Sequence, residues 1–535
     1  MIKKIFLIIS TLLFGMILFS SCSEKKEEVK QEPDKKMNVL FIAIDDLKPI
    51  LGAYGDKFVI SPNIDKIAEH GTIFTNNHCQ YAVCGPSRAS LLSGQRPDYT
   101  QILNLKTLIR DKRPDVVTLP QHFKNNGYNT FGVGKIFDPR SVDKFQDKAS
   151  WTDYIYMKDL KFHEGYNPPE FGYYQSPEHL KKIAELRKEA KAKGLSDKEV
   201  RKYILKRYKV AWEKADVPDD AYEDGAILNG GIELMKKAVK ADKPFFLAVG
   251  FKRPHLPFNS PTKYWDLYDE SKVPLSLNQE KSENGFDLAY QPSWELSSYK
   301  VPGYTYKEID GVIRIPEKQQ RQLIHGYYAA TSYVDAQIGK LMEELKKEGL
   351  EKNTIVILWG DHGWHLGDHS MWNKHTDFEQ ATRSPMIIFD PRVGKKIEIS
   401  SPTEFVDIYP TLCEMTGIDL PEDLAGLSLK PMVEGKKDRL KEYAFSEITR
   451  NDEDVIGYTL RNDRYRYTAW MTNHPMLMKK YDPKNQIGEE LYDYKVDPLE
   501  KKSFIKDPAY KEILAKMKKD FIDYFNNKRA VKGGK

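Results

Sequence analysis

The sequence predicts an α/β fold: a large domain with a mostly parallel central sheet between helices, then a smaller C-terminal α+β domain with a short antiparallel sheet. Three observations carry this. The strand-length runs Asn38–Ile44, Pro244–Gly250 and Thr354–Trp359 are apolar almost throughout, as strands buried on both faces are. Helix-compatible segments separate them, the longest at Arg321–Lys347, so strands and helices alternate. From about Lys441 the texture changes to short alternating segments closed by a helix. The chain has 535 residues, enough for one large domain and a smaller one.

In chain order, Met1-Ile2-Lys3-Lys4 is followed by an apolar run from Ile5 to Phe19, then Ser20-Ser21-Cys22 and a charged stretch. That pattern reads as a signal peptide over 1–21. Leu18–Cys22 resembles a bacterial lipobox, which implies lipidation at Cys22, a solvated tether over 22–36 and a lipid anchor in a membrane. The expectation is an exported protein, periplasmic or at the cell surface, anchored to the outer membrane of a bacterium. The large domain is expected over 37–437 and the C-terminal subdomain over 438–535.

Within the large domain, Asn38–Ile44 is a strand ending in Asp45-Asp46, and Pro62–His70 a short helix. Leu119–Asn126 reads as a helix and Tyr128–Gly134 as a strand with Lys135 just past its end. Residues 178–214 hold 13 Lys/Arg against 6 Asp/Glu in helix-forming sequence. This basic insert is either a solvated helical hairpin or a rim that attracts a polyanion. Residues 265–320, rich in Pro, Tyr and Ser, read as loop, and Pro385–Phe389 as a further strand. Tyr443–Ser446, Thr459–Arg461 and Arg464–Thr468 read as short antiparallel strands and Ile513–Asn526 as the closing helix.

Composition narrows the class. Hydrophobic residues at 40% and charged residues at 30% exclude a disordered chain. A net charge of +5, or +3 without Lys3 and Lys4, gives no case for nucleic acid. The four cysteines, Cys22, Cys79, Cys84 and Cys413, are too few for a disulfide framework. Cys79 and Cys413 could pair, and spacing does not decide it.

The chemistry concentrates at Cys84-Gly85-Pro86-Ser87-Arg88 and at three strand ends. Pro86 is expected to keep Gly85 out of the helical region, with Cys84 at or just before a helix N-terminus. Unpaired backbone N–H groups there favour negative charge, and Arg88 lies one helical turn on. The plain alternative is a buried structural cysteine beside a surface arginine. Asp45-Asp46, Lys135 and Asp361-His362 follow strands, where open α/β sheets gather ligands. Oxygen donors from separate segments suggest Ca²⁺ or Mg²⁺; His365 and His369 keep zinc open. Taken singly, the acids also suit helix caps or turns, Lys135 and Lys374 suit solvated lysines, and His255 suits a turn histidine between prolines.

Cys84 to Gly94 matches in full the pattern Cys-x-Pro-Ser-Arg-x-x-x-Leu-Ser-Gly, and Gly127 to Lys135 matches Gly-Tyr-x-Thr-x-x-x-Gly-Lys. On these motifs the chain resembles formylglycine-dependent sulfatases of the alkaline phosphatase superfamily, closest in texture to iduronate-2-sulfatase-like bacterial polysaccharide sulfatases. Gly250–His255, Asp361–Trp364, Trp372–Lys374, Phe405–Leu412 and Leu491–Asp493 extend the resemblance. It implies an alkaline-phosphatase-like large domain and conversion of Cys84 to formylglycine by a sulfatase-maturating enzyme. Hydrated, that residue offers the oxygen that attacks sulfur. One divalent cation, most simply Ca²⁺, is implied at Asp45, Asp46, Cys84, Asp361 and His362. Arg88 and Lys135 are implied to steady the hydrate and the sulfate charge, and His255 and Lys374 to contact the bridging oxygen.

Arg253 and Lys374 are expected to bind substrate, a sulfated oligo- or polysaccharide with a 2-O-sulfated uronic acid or pentose, of glycosaminoglycan or ulvan type. One position departs from the pattern: relatives carry histidine, implied to help deprotonate the hydrate, where this chain has Asp138. Either Asp138 substitutes as a possible base, weaker by its ordinary pKa, or another base acts, or turnover is slow. Two rivals stand beside this reading: a phosphodiesterase or phosphonate hydrolase of the same superfamily, and a surface glycan-binding lipoprotein without turnover.

Overall fold

The computed structural model describes residues 36–527 except 242, 452 and 473–479. The signal segment, Cys22 and the tether up to residue 35 lie outside the described residues.

The central sheet has eight strands. In chain order they are β1 (Asn38–Ile44), β2 (Thr72–Phe74), β3 (Asn129–Gly134), β4 (Asp153–Ile155), β5 (Phe245–Phe251), β6 (Thr354–Gly360), β7 (Met386–Phe389) and β8 (Ile397–Ile399). Their spatial order is β8-β2-β7-β6-β1-β5-β3-β4. All run parallel except β7, which is antiparallel to both β6 and β2. Every residue of β1, β5 and β6 is buried, which is why their sequences are apolar without alternation. Val39, Phe41 and Ala43 enter one core, while Leu40, Ile42 and Ile44 enter the other, so β1 joins two apolar layers.

Register sets the site. Ile44 pairs with Gly360 on one side and Phe251 on the other, and Gly134 pairs with Gly250. The polar residues after these strands therefore leave the sheet at one edge and one level, as ligand-binding ends of parallel sheets do. The long helix Glu317–Lys347 covers one face with Val334, Ile338 and Leu341. It begins four residues before the expected Arg321. From this helix the Tyr327 hydroxyl donates to the Asp46 carbonyl at 2.6 Å and accepts from the Lys48 N–H at 2.9 Å, fixing the turn after β1.

The C-terminal sheet is antiparallel, in the order Ala444–Arg450, Val455–Arg461, Tyr465–Met471, Gln486–Asp493. Its fourth strand carries no apolar alternation that would announce it: Gly488, Glu489 and Glu490 occupy its middle. The helix Lys511–Asn527 packs Met517, Phe521, Tyr524 and Phe525 into the same core.

Three expectations are corrected. Gly85 is helical, because a proline is tolerated in the first turn and glycine lacks the Cβ that would clash with it. A Cβ there would also come within 2.5 Å of Ser141 Oγ. The helical insert comprises Pro177–Ala192 and Asp197–Arg207 only; Trp212–Ala215 is a strand paired with Phe258–Pro261. The 265–320 segment contains the one-turn helix Trp294–Ser297 and a small hairpin, besides loop. Cys79 and Cys413 are buried free thiols.

Asp377, next to the C-terminal sheet, gives a pH prediction. Its carboxyl is buried, with Thr459 and the Arg466 and Arg450 guanidinium groups nearby. Burial raises its pKa to about 7, with Arg466 and Arg450 opposing. The folded state thus keeps this proton up to about pH 7, whereas the unfolded chain loses it near 3.8. Its contribution to stability is full below the lower value and is lost as pH rises through the upper one, on the order of 4 kcal/mol in all. Asp377→Asn is expected to raise the melting temperature at pH 8, with the gain shrinking toward pH 4. An equal effect at both pH values in a scanning calorimeter would refute this.

Candidate active site

The helix Cys84–Ser93 lies wholly buried beneath the sheet edge. Val83 caps it in extended conformation, and Gly94, at φ 65°, ends it, a left-handed turn that glycine adopts without strain. Cys84 opens the first turn, its Sγ 3.3 Å from His362 Nε2 and 3.7 Å from Asp46 Oδ1. Burial pushes the thiol well up; Lys135 and Lys374 pull against this, and Asp45 and Asp361 reinforce it.

Arg88, one turn on, is fully buried. Its Nε donates to Asp361 Oδ2 at 2.9 Å and its Nη2 to Asp45 Oδ1 at 3.1 Å. Its Nη1 donates to the Lys135 and Ile136 carbonyls. Only one N–H of the guanidinium is left over, so Arg88 chiefly orients the two acids. Lys135 Nζ donates to Asp45 Oδ2 at 2.7 Å. Burial alone would raise the Asp45 carboxyl, but Lys135, His255 and Arg88 outweigh it and hold it well below the usual range. Asp46 is pushed the other way: burial dominates over His255, Lys374 and His362. Asp46 also sits at φ 60°, a left-handed position that aspartate tolerates better than most residues.

The donors of Asp46, Cys84, Asp361 and His362 lie within 4.8 Å of one another, all buried, and those of Asp45, Asp46, Cys84 and His255 form an overlapping group. Three carboxylates and one imidazole around the residue-84 side chain fit a hard divalent cation. His365 and His369 are in neither group; His365 bonds Thr376 and His369 bonds Asn278 and the Glu280 carbonyl. Burial takes His365 down to about 3.

Above Cys84 opens a cavity of about 550 Å³. Lys135, Asp138, His255, Glu295 and Lys374 line it. Lys374 Nζ reaches Asp46 Oδ1 at 3.0 Å and Glu295 Oε2 at 2.7 Å, and His255 Nε2 reaches Glu295 Oε1 at 2.9 Å. Burial alone would lower the Lys374 amine, but Asp46, Cys84 and Glu295 hold it well above its usual range. Glu295 thus ties together the two cavity-facing groups. Sequence reading passed over it, because an acid in a Pro-, Tyr- and Ser-rich stretch carries no local signal of what it will meet.

Two further residues make contacts that bear on their expected roles. Arg253 lines the cavity, but its guanidinium donates to the His255 and Pro257 carbonyls. These bonds, both from Nη1, brace the His255 loop and leave Nε and Nη2 without a hydrogen bond among the described residues. Asp138 is buried, with both oxygens held by Arg140 at 2.9 and 2.8 Å and Lys135 Nζ 3.6 Å away. Burial would raise it, yet Lys135 and Arg140 keep its carboxyl well below the ordinary range. A carboxylate so engaged is a weak base.

Comparisons with known proteins agree with this geometry. The sulfatase family profile matches residues 37–418, and the profile of the N-sulphoglucosamine sulphohydrolase C-terminal region matches 367–527. Human iduronate 2-sulfatase is 30% identical, over 92% of this chain and 96% of its own length. A Δ4,5-hexuronate-2-O-sulfatase of Bacteroides thetaiotaomicron is 26% identical, over 93% of this chain and 90% of its own. In three dimensions, a crystal structure of a sulfatase from Bacteroides thetaiotaomicron superposes with a TM-score of 0.66 at 24% identity, covering 93% of each chain.

Proposed function

The chain belongs to the sulfatase family of the alkaline-phosphatase-like superfamily and is a sulfuric ester hydrolase, and on that premise we propose that it desulfates a carbohydrate. The proposed substrate is a 2-O-sulfated uronic acid or pentose in a fragment of sulfated polysaccharide, of glycosaminoglycan or ulvan type. The observation that carries this reading is the place of Cys84: first turn of a buried helix, at the floor of a cavity, ringed by carboxylates and cations. The 2-O-sulfatase relative supports the position on the sugar.

Cys84 is the residue to be converted by a maturating enzyme to formylglycine, whose hydrate supplies the nucleophilic oxygen. Asp45, Asp46, Asp361 and His362 would hold a divalent cation, Ca²⁺ by its preference for oxygen, which when bound polarises the sulfate and offsets its charge. Arg88 keeps Asp45 and Asp361 in position. Lys135 and Lys374 set positive charge where sulfate oxygens enter. His255, with Nδ1 2.6 Å from the Leu256 carbonyl, presents Nε2 toward Glu295 and the cavity. Nε2 of His255, or Nζ of Lys374, hands the proton to the leaving alcohol. Export, lipidation at Cys22 and the boundary between 37–437 and 438–535 belong to the same proposal.

The test pairs two measurements. The sulfate ester of a chromogenic alcohol is expected to be hydrolysed faster than its phosphate diester, and the Cys84 peptide of active protein to be lighter than its thiol form by about 18 Da. Faster diester cleavage would overturn the sulfatase assignment; an unmodified thiol in active protein would overturn the formylglycine assignment.

A further inference from the structure

Six cations line the cavity: four are held in ion pairs, and a fifth, Arg253, spends Nη1 on backbone carbonyls. Lys135 pairs with Asp45, Arg140 with Asp138, Lys252 with Glu223, and Lys374 with Asp46 and Glu295. Lys209 is different. Its Nζ donates to Ser298 Oγ at 3.0 Å and stands 3.6 Å over the Tyr299 ring. It forms no ion pair among the described residues. Glu295, the acid that acts on it, is already shared by His255 and Lys374. Burial lowers the Lys209 amine and Glu295 opposes this only in part, so its charge bears a desolvation cost.

The fold holds Lys209 in place. Lys209 follows directly on the helical insert, whose apolar residues Ile183, Leu186, Val200 and Ile204 pack with Tyr174. The Tyr174 hydroxyl bonds both the N–H and the carbonyl of Val210. On the other side the Lys300 N–H donates to the Lys209 carbonyl at 2.6 Å, and the Ala211 N–H to the Lys300 carbonyl at 2.9 Å. The backbone of 209–211 is thus pinned between the insert and the segment that carries Glu295. That segment also brings Trp294 to the cavity wall with 58% of its surface exposed. Most other basic residues of the insert point to solvent.

We propose that Lys209, with Trp294 as an apolar wall beside it, forms a subsite for a second anionic group of the substrate, a carboxylate or a second sulfate. The proposal rests on the sulfatase reading and narrows it: preferred substrates carry an acid besides the ester that is cleaved. The position of Lys209 follows from the insert, whose work at the site is to deliver this one lysine.

The experiment compares wild type, Lys209→Met and Lys209→Arg on three sulfate esters: a neutral aryl sulfate, a sulfated uronic acid glycoside and the same glycoside with its carboxylate reduced to the alcohol. A disulfated neutral sugar forms a fourth arm. The ratio of kcat/KM for acidic over neutral esters is expected to fall about 10- to 100-fold in Lys209→Met, mainly through KM. Lys209→Arg should restore most of it. Loss on the uronic acid alone names the carboxylate; loss on the disulfated sugar alone names the second sulfate. An unchanged ratio, or no wild-type preference for acidic esters, overturns the proposal. If wild type cleaves no sulfate ester, the sulfatase reading fails instead. Calorimetric binding of the same sugars to Cys84→Ala protein, with and without Lys209→Met, then decides the subsite: about tenfold weaker binding supports it and equal binding overturns it.

Discussion

Replacing Cys84 with alanine is expected to lower kcat/KM for an aryl sulfate by a factor on the order of 10⁴ or more, with little change in fold. Among the described residues Cys84 Sγ makes two hydrogen-bond contacts, to His362 and Asp46, and alanine suits the first turn of the helix as well as cysteine does. What is lost is the one atom from which an attacking oxygen can be made. Basic groups and carboxylates around it remain, so substrate should still bind. The check is a steady-state assay of purified protein beside its far-UV circular dichroism. An alanine variant that keeps more than about a tenth of wild-type turnover would place the nucleophile elsewhere.

The second large effect is expected at Arg88. Arg88→Lys retains the charge and loses the fork. The guanidinium reaches Asp361, Asp45 and two carbonyls at once; a lysine offers a single point charge on a flexible stem. Breaking part of a buried, hydrogen-bonded charge cluster costs about 3–5 kcal/mol, and here the freed acids are two of the proposed metal ligands. Unfolding in urea should show a lower midpoint, and kcat/KM should fall by roughly 10²- to 10³-fold. A lysine variant within threefold of wild type in activity would show that Asp45 and Asp361 are held in place without the arginine.

Both predictions depend on residues that local pattern made visible. Cys84 and Arg88 fall in one short motif at the start of a helix. Asp45, Asp46, Lys135, Asp361 and His362 each follow a strand apolar enough to be recognised. What local pattern could not show is where their charges would go. Asp138 stands in a segment read as a possible base, yet Arg140, two residues on, takes both its oxygens. Arg253 lies in a matching motif, and its Nη1 braces the backbone of its own loop. Glu295 lies in a stretch without periodicity and Lys209 is one of 13 basic residues over 178–214; which of them reaches the cavity is set by distant segments pairing there.

Sequence alone determined the α/β class, the strands β1, β5 and β6, the motif around Cys84 and the acids at the strand ends. Each is written in a short window, as a run of apolar residues buried on both faces or as a motif of fixed spacing. Tertiary structure decided that Ile44, Phe251 and Gly360 end their strands at one level, that β7 runs backwards, and which cation faces which acid. Those facts depend on register and on contacts between residues far apart in the chain. An ion pair such as Lys374 with Asp46, 328 residues apart, exists only once the sheet has set both ends.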